Sequence, residues 1–143
     1  MAHKIRLRPN NIQGTYFARG LSTARFAYNW ALIEWQRQYE ARKADPTLAM
    51  PGEGALRRQL NSIKRAQFPW MLEVTKNAPQ MAIIQLGTAF KNFFEGRTGY
   101  PRLRRKGVDD RFSISNDQFS VKGVHIRIPK LGWVRMYEPL RYA

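Results

Sequence analysis

The side chains able to do chemistry in this sequence are cations, and they are grouped. Between positions 97 and 106 stand Arg97, Arg102, Arg104, Arg105 and Lys106, with Tyr100 among them. Gly99 and Pro101 keep this stretch out of a helix. Guanidinium groups fork onto phosphate oxygens, and an interleaved ring can stack on a base. A solvated charge run is the plainer alternative, and the basic character of the whole chain favours phosphate contact over it. A second group opens the chain: Lys4, Arg6 and Arg8 alternate with Ile5 and Leu7, which puts the three cations on one face of a strand. A third surrounds Pro79, a residue suited to the first turn of a helix. There Lys76, Asn77 and Gln80 could meet DNA, because helix N-termini present N–H groups to phosphate and amide side chains read adenine edges. Simple capping by Asn77 explains that group equally well. Arg25 and Asn29, with Gln36, form a polar strip between the two apolar faces of a helix, and Arg127 and Lys130 fall among the late strands.

Cleavage chemistry is not expected. A metal-dependent nuclease needs carboxylates gathered in space. The acids, from Glu34 to Glu138, are scattered over loops and predicted helix surfaces, and the adjacent Asp109 and Asp110 point apart if extended. His3 and His125 are isolated, and there is neither a phosphate-binding Walker loop nor a dinucleotide fingerprint. No metal site and no cofactor are expected.

Composition agrees with an anionic partner. The 143 residues carry 25 Lys+Arg against 10 Asp+Glu, a net charge of +15. Such a chain repels itself unless a polyanion is near, and nucleic acid releases counterions on binding. A membrane surface is disfavoured, since no stretch joins a clean basic face to a purely apolar one. With 43% hydrophobic and 13% aromatic residues, the chain is not a disordered tail. The absence of cysteine excludes disulfides and Cys-bound zinc within these residues and agrees with a cytoplasmic location. Met1–Arg8 lacks the apolar run of a signal peptide.

The elements that must position the cations read as follows. His3 to Arg8 has strand spacing, stopped by Pro9. Asn10 and Gln13 suggest a capping box for a short helix to about Arg19, broken at Gly20. A longer helix runs from about Leu21 to Lys43, with Ala24, Tyr28, Ala31, Leu32, Trp35 and Tyr39 on one stripe and Phe26, Trp30 and Ile33 nearly opposite, so that both faces are buried. After a Pro/Gly loop comes a helix over about 55–66 with Leu56, Leu60 and Ile63 at helical spacing. The next runs from near Pro79 to Glu95, with Ile83, Leu86, Phe90, Phe93 and Phe94 on a broad apolar face. Gly87 within it suggests a close-packed neighbour, and Gly96 is a natural stop. Beyond 106, strand alternation takes over: Phe112 and Ile114, Phe119 and Val121, then Val124, Ile126 and Ile128, with a last strand from Trp133. A lone first strand needs partners, and the late strands are the simplest. The expected class is α+β: an N-terminal strand, a helical region of helix-turn-helix type, then antiparallel strands of a partial β-barrel. Its divisions are residues 1–10, 11–96 and 97–143.

Five segments, in order, resemble the OrfB/TnpB family of transposon-encoded proteins, relatives of the type V CRISPR effectors. They are Lys4-Ile5-Arg6-Leu7-Arg8-Pro9; Arg25-Phe26-Ala27-Tyr28-Asn29-Trp30; Ala89-Phe90-Lys91-Asn92-Phe93-Phe94; Gly99-Tyr100-Pro101-Arg102-Leu103-Arg104-Arg105-Lys106; and Ile128-Pro129-Lys130-Leu131-Gly132. The resemblance implies a wedge-type barrel interrupted by a helical recognition region, with a helix-turn-helix in the first helices. It implies a grip on guide RNA and the reading of a short DNA motif. By that analogy Lys76, Asn77 and Gln80 face DNA and the basic run after Gly99 faces RNA. The family's RuvC-like nuclease domain and zinc ribbon lie downstream of the matching region. The chain is therefore expected to be a fragment, a truncated product or one segment of a split protein, with a nuclease-bearing chain as a candidate partner.

The function expected is a nucleic-acid-binding module without cleavage of its own. Two rivals stand beside it: a standalone helix-turn-helix regulator that binds duplex DNA, and a small basic structural protein of a ribonucleoprotein particle.

Overall fold

In the computed structural model of the chain, side chains are described for residues 14–106, and backbone alone for residues 7–8, 11–13, 120–122, 125–128 and 132–136. Three helices make the body. The first, α1, spans Asn11–Ala44; α2 spans Glu53–Gln67; α3 spans Asn77–Phe94. A 3₁₀ turn, Pro69–Glu73, joins α2 to α3.

The packing follows from spacing in fours. On α1, Ala24, Tyr28 and Leu32 are buried, with Ala27 and Ala31 beside them. On α3, Ala78, Ala82, Leu86 and Phe90 are buried, with Ile83 beside them. Residues four apart form one ridge of a helix, and ridges of this kind fit the grooves of a neighbour. The alanines let the two backbones come close, and Phe90 and Leu32 fill the space between. Each large side chain so buried contributes roughly 1.5–3 kcal/mol. From α2, Leu56 and Leu60 complete the core, and Met71 of the 3₁₀ turn closes it. Gly87 has the expected reason: a Cβ there would stand 2.8 Å from Cγ of Glu53 and 2.9 Å from its Cβ, so α2 rests directly on the α3 backbone.

Gly20 does not break the first helix. It sits, buried, inside one unbroken helix of 34 residues. A mid-helix glycine costs only about 1 kcal/mol, and anchors on either side outweigh that. Tyr16 lies on one side, its hydroxyl accepting the Thr75 N–H at 2.9 Å, and the buried Thr23 and Ala24 lie on the other. The two-face burial of α1 is only partly realised. Phe26 packs edge-on against Phe68 and Trp70, but Ile33 is exposed.

The expected α+β class is corrected by the structure. About 74% of residues 14–106 lie in helix, and no strand occurs among them. Strand backbone is confined to four pieces of two to five residues: β1 Leu7–Arg8, β2 Ser120–Lys122, β3 His125–Ile128 and β4 Gly132–Met136. They pair antiparallel in the order β1-β4-β3-β2, with Leu7 opposite Met136 and Ile126 opposite Val134. Ladders this short contribute little beside a three-helix core, so the fold is helical and the partial barrel is withdrawn. Period-2 alternation reported strand preference, but not whether strands would build the body. The alternation read at Phe112, Ile114, Phe119 and Val124, and the cap read at Asn10, lie outside the described residues.

Candidate nucleic-acid interface

The basic segment after α3 is held to the helices rather than hanging from them. Glu95 ends the helix and Gly96 follows with φ 75°, a left-handed conformation that suits glycine. The Gly96 N–H donates to the Phe93 carbonyl at 3.0 Å, and the Arg97 N–H to the Asn92 carbonyl at 2.9 Å. These two bonds are the Schellman pair that turns a chain off a helix end. The chain then folds back. Tyr100 sets its edge against Phe90 and Phe93, with centroids 5.5 and 5.1 Å away, and Pro101 is buried.

At Arg104 the segment is locked. The Arg104 N–H donates to Oδ1 of Asn29 at 2.7 Å, and Nδ2 of Asn29 donates to the Arg104 carbonyl at 3.0 Å. One carboxamide thus pairs with one residue's backbone as a neighbouring strand would. The Arg104 side chain turns inward. It is 8% exposed, donates to Oε1 of Gln85 at 2.9 Å, and lies over the Tyr28 ring at 3.8 Å. Cation–π contact and a side-chain acceptor offset part of the cost of burying the charge.

This separates the expected site residues. Asn29 and Arg104 are structural in this chain, because their polar atoms face each other and the core. Arg102, Arg105, Lys106 and Tyr100 are exposed on the outer side of the docked segment. Arg97 is exposed and pairs with Glu95 at 3.3 Å. An ion pair at such exposure is worth about 0–1 kcal/mol and exchanges readily for a phosphate. Arg25 is half-buried on α1 and donates to Oγ of Ser22 at 3.3 Å. For Arg8 and Arg127 only the strand backbone is described, and Lys4, Arg6 and Lys130 lie outside the described residues.

The start of α3 does not offer the anion site that its sequence suggested. The Asn77 N–H donates to Oγ1 of Thr75 at 3.3 Å, and the Ala78 N–H to the Thr75 carbonyl at 3.1 Å. Pro79 has no N–H, and the Gln80 N–H reaches the Lys76 carbonyl at 3.3 Å. No N–H of this first turn is left for a phosphate. The Thr75 hydroxyl, rather than the Asn77 side chain, is the acceptor at this helix start, and Asn77 is itself buried. Lys76 remains exposed and Gln80 half-buried, so any contact here is through those side chains.

Two features escaped the sequence reading. Phe94, assigned to the apolar face of α3, is 63% exposed. The signal was its position as the last helical residue, one turn beyond Phe90 and beside the basic run. On α2, Arg58, Asn61, Ser62 and Arg65 lie on the solvent side. Those positions were legible as the polar half of an amphipathic helix. Among the described residues, no three His, Asp or Glu side chains gather as metal ligands, and no helix is long and apolar enough to cross a membrane.

Comparison with known proteins places this build in a class. Residues 1–44 match the family model described as a helix-turn-helix domain, of the OrfB/IS605 kind. In the structure the described part of that stretch is β1 and the helix α1, and no turn interrupts α1 between Asn11 and Ala44. Together with the relative that follows, it makes this chain similar to the N-terminal region of OrfB/TnpB transposon-encoded proteins. That relative is the Escherichia coli (strain K12) protein named "Putative RNA-guided DNA endonuclease InsQ", 30% identical over 137 residues, or 94% of this chain. The chain spans 33% of that protein's length.

Proposed function

We propose that this chain is a nucleic-acid-binding module of a TnpB-like protein, working in the cytoplasm on a guide-like RNA and on DNA. The observation that carries the reading is the docked basic segment. Its backbone is held by Asn29 while Arg102, Arg105 and Lys106 face outward from a rigid base. Fixing cations before the polyanion arrives lowers the ordering cost of binding. The relative's printed name supports both partners, RNA as guide and DNA as target. Lys76 and Gln80 are the side chains offered to DNA, and the outer face of 97–106 the one offered to RNA.

The reading is of binding, not of cleavage. The endonuclease name belongs to a protein of which this chain spans a third. A nuclease-bearing chain is the partner this reading implies. The division into residues 1–10, 11–96 and 97–143 is kept only as a functional proposal, since the first ten residues of the last division are clasped to α1 and α3. The rival duplex regulator loses its geometric basis with the missing turn at Gly20, because a helix-turn-helix needs two helices joined at an angle.

The test is equilibrium binding to RNA and to duplex DNA over a range of salt. About six phosphate contacts give a log–log slope of about −4 to −5. Binding that does not change between low and moderate salt would remove the reading.

A further inference from the structure

We propose that Phe94 is a stacking platform for an unpaired nucleobase, at the mouth of the docked basic segment. The inference rests on the nucleic-acid reading above and adds to it a residue and a ligand class.

Rings are stacked in a row through the helical body. Trp35 of α1 lies on Phe90 with centroids 4.2 Å apart and planes 17° from parallel. Phe90 lies on Phe94 at 6.0 Å and 23°. The inner members are held: Phe90 is 1% exposed, and Trp35 packs against the core. The outer member is not covered, since Phe94 is 63% exposed. Phe93 braces it at 5.4 Å, and Tyr100, 46% exposed, braces Phe93 in turn. With Tyr100 exposed against Phe93, the apolar surface here is more than one ring, and a patch rather than a lone side chain is what points to a ligand.

The surroundings select the ligand. Lys91, Arg97, Arg102, Arg105 and Lys106 are exposed on the end of α3 and on the segment that follows it. An apolar protein surface would not be drawn to so many cations, whereas a nucleotide carries a flat apolar face and an anionic backbone together. Paired bases hide their faces inside the duplex; only an unpaired base can lie on Phe94. RNA loops and single-stranded DNA share that chemistry.

The experiment uses the full chain with short single-stranded RNA and DNA carrying 2-aminopurine, and a duplex of the same sequence. The wild type should quench the fluorophore on binding. Phe94→Leu should lose the quench and bind single strands about fivefold or more weakly, with duplex affinity unchanged. Phe94→Trp should restore both, and the exposed position predicts the same thermal midpoint for all three. The stronger of the RNA and DNA arms identifies the strand. Binding by the wild type with Phe94→Leu indistinguishable from it would overturn the platform alone, leaving the module reading in place. No binding to any strand would overturn both. A dimer of the wild type that Phe94→Leu dissolves, with nucleic-acid affinity unchanged, would show the ring to be a self-contact and overturn the platform.

Discussion

The carboxamide of Asn29, in the middle of α1, holds both backbone polar groups of Arg104, 75 positions later in the chain. This pairing makes the basic segment part of the helical body. It also divides the cations into one that is spent on structure and several that face outward.

Removal of the clasp should be felt as stability and as protease sensitivity. Asn29→Ala leaves two partly buried backbone groups of Arg104 without their partner, at a cost of about 1–3 kcal/mol. Chemical denaturation should show that loss, and trypsin should cut at Arg102, Arg105 and Lys106 faster than in the wild type. Cleavage at an unchanged rate would mean that the segment is held by other contacts.

Arg102 and Arg104 should behave oppositely although they are two residues apart. Arg102→Ala should keep the thermal midpoint and lower the salt slope of nucleic-acid binding by about 1. Arg104→Ala should lower the midpoint, because it empties the site over Tyr28 and strands Gln85. A binding defect in Arg104→Ala without any loss of stability would contradict the inward placement of its side chain.

Gly87→Ala should destabilise the fold even though alanine is the better helix former. The propensity gain is about 1 kcal/mol. Against it, the new methyl meets Glu53 at Cγ and at Cβ, and the Cβ is fixed to the α2 backbone, so overpacking here costs about 1–3 kcal/mol. The Glu53–Arg57 pair, at 2.6 Å, should be disturbed as well. A higher midpoint in Gly87→Ala would show that α2 shifts without resistance.

Tyr16 predicts an alkaline limit. Burial lifts its hydroxyl above the ordinary value of 10.0, and the bond from the Thr75 N–H opposes part of that rise. The ionised form is thus disfavoured in the folded chain. The contribution is intact below pH 10 and is lost as pH rises through the folded value, because the unfolded chain gives up the proton first. Tyr16→Phe should flatten that part of the stability profile while costing about 1–3 kcal/mol at neutral pH through the stranded Thr75 N–H. A profile above pH 10 identical to that of the wild type would overturn the assignment.

Much was legible from spacing alone. The buried stripe of α1 from Ala24 to Leu32, the α2 pattern of Leu56 and Leu60, the α3 residues Ile83, Leu86 and Phe90, the stop at Gly96 and the close approach at Gly87 are all local arithmetic. So is the basic run, and so are the ordered segments that mark the family. These features depend on residues within a few turns of one another, and one chain carries that information by itself.

Contacts between distant positions were decided only by the folded molecule. Nothing near Gly20 announces that Tyr16 will be pinned by Thr75, so the helix reads as broken where it runs through. Nothing near Asn29 or Arg104 says that they will pair, so both read as surface groups when they are fasteners. Thr75 captures the donors that Asn77 seemed to leave for a phosphate. Phe94 reads as core because its spacing matches its neighbours, and only the folded chain leaves it bare. Periodicity tells a side chain which way to face, but what it finds there depends on elements brought from elsewhere in the chain.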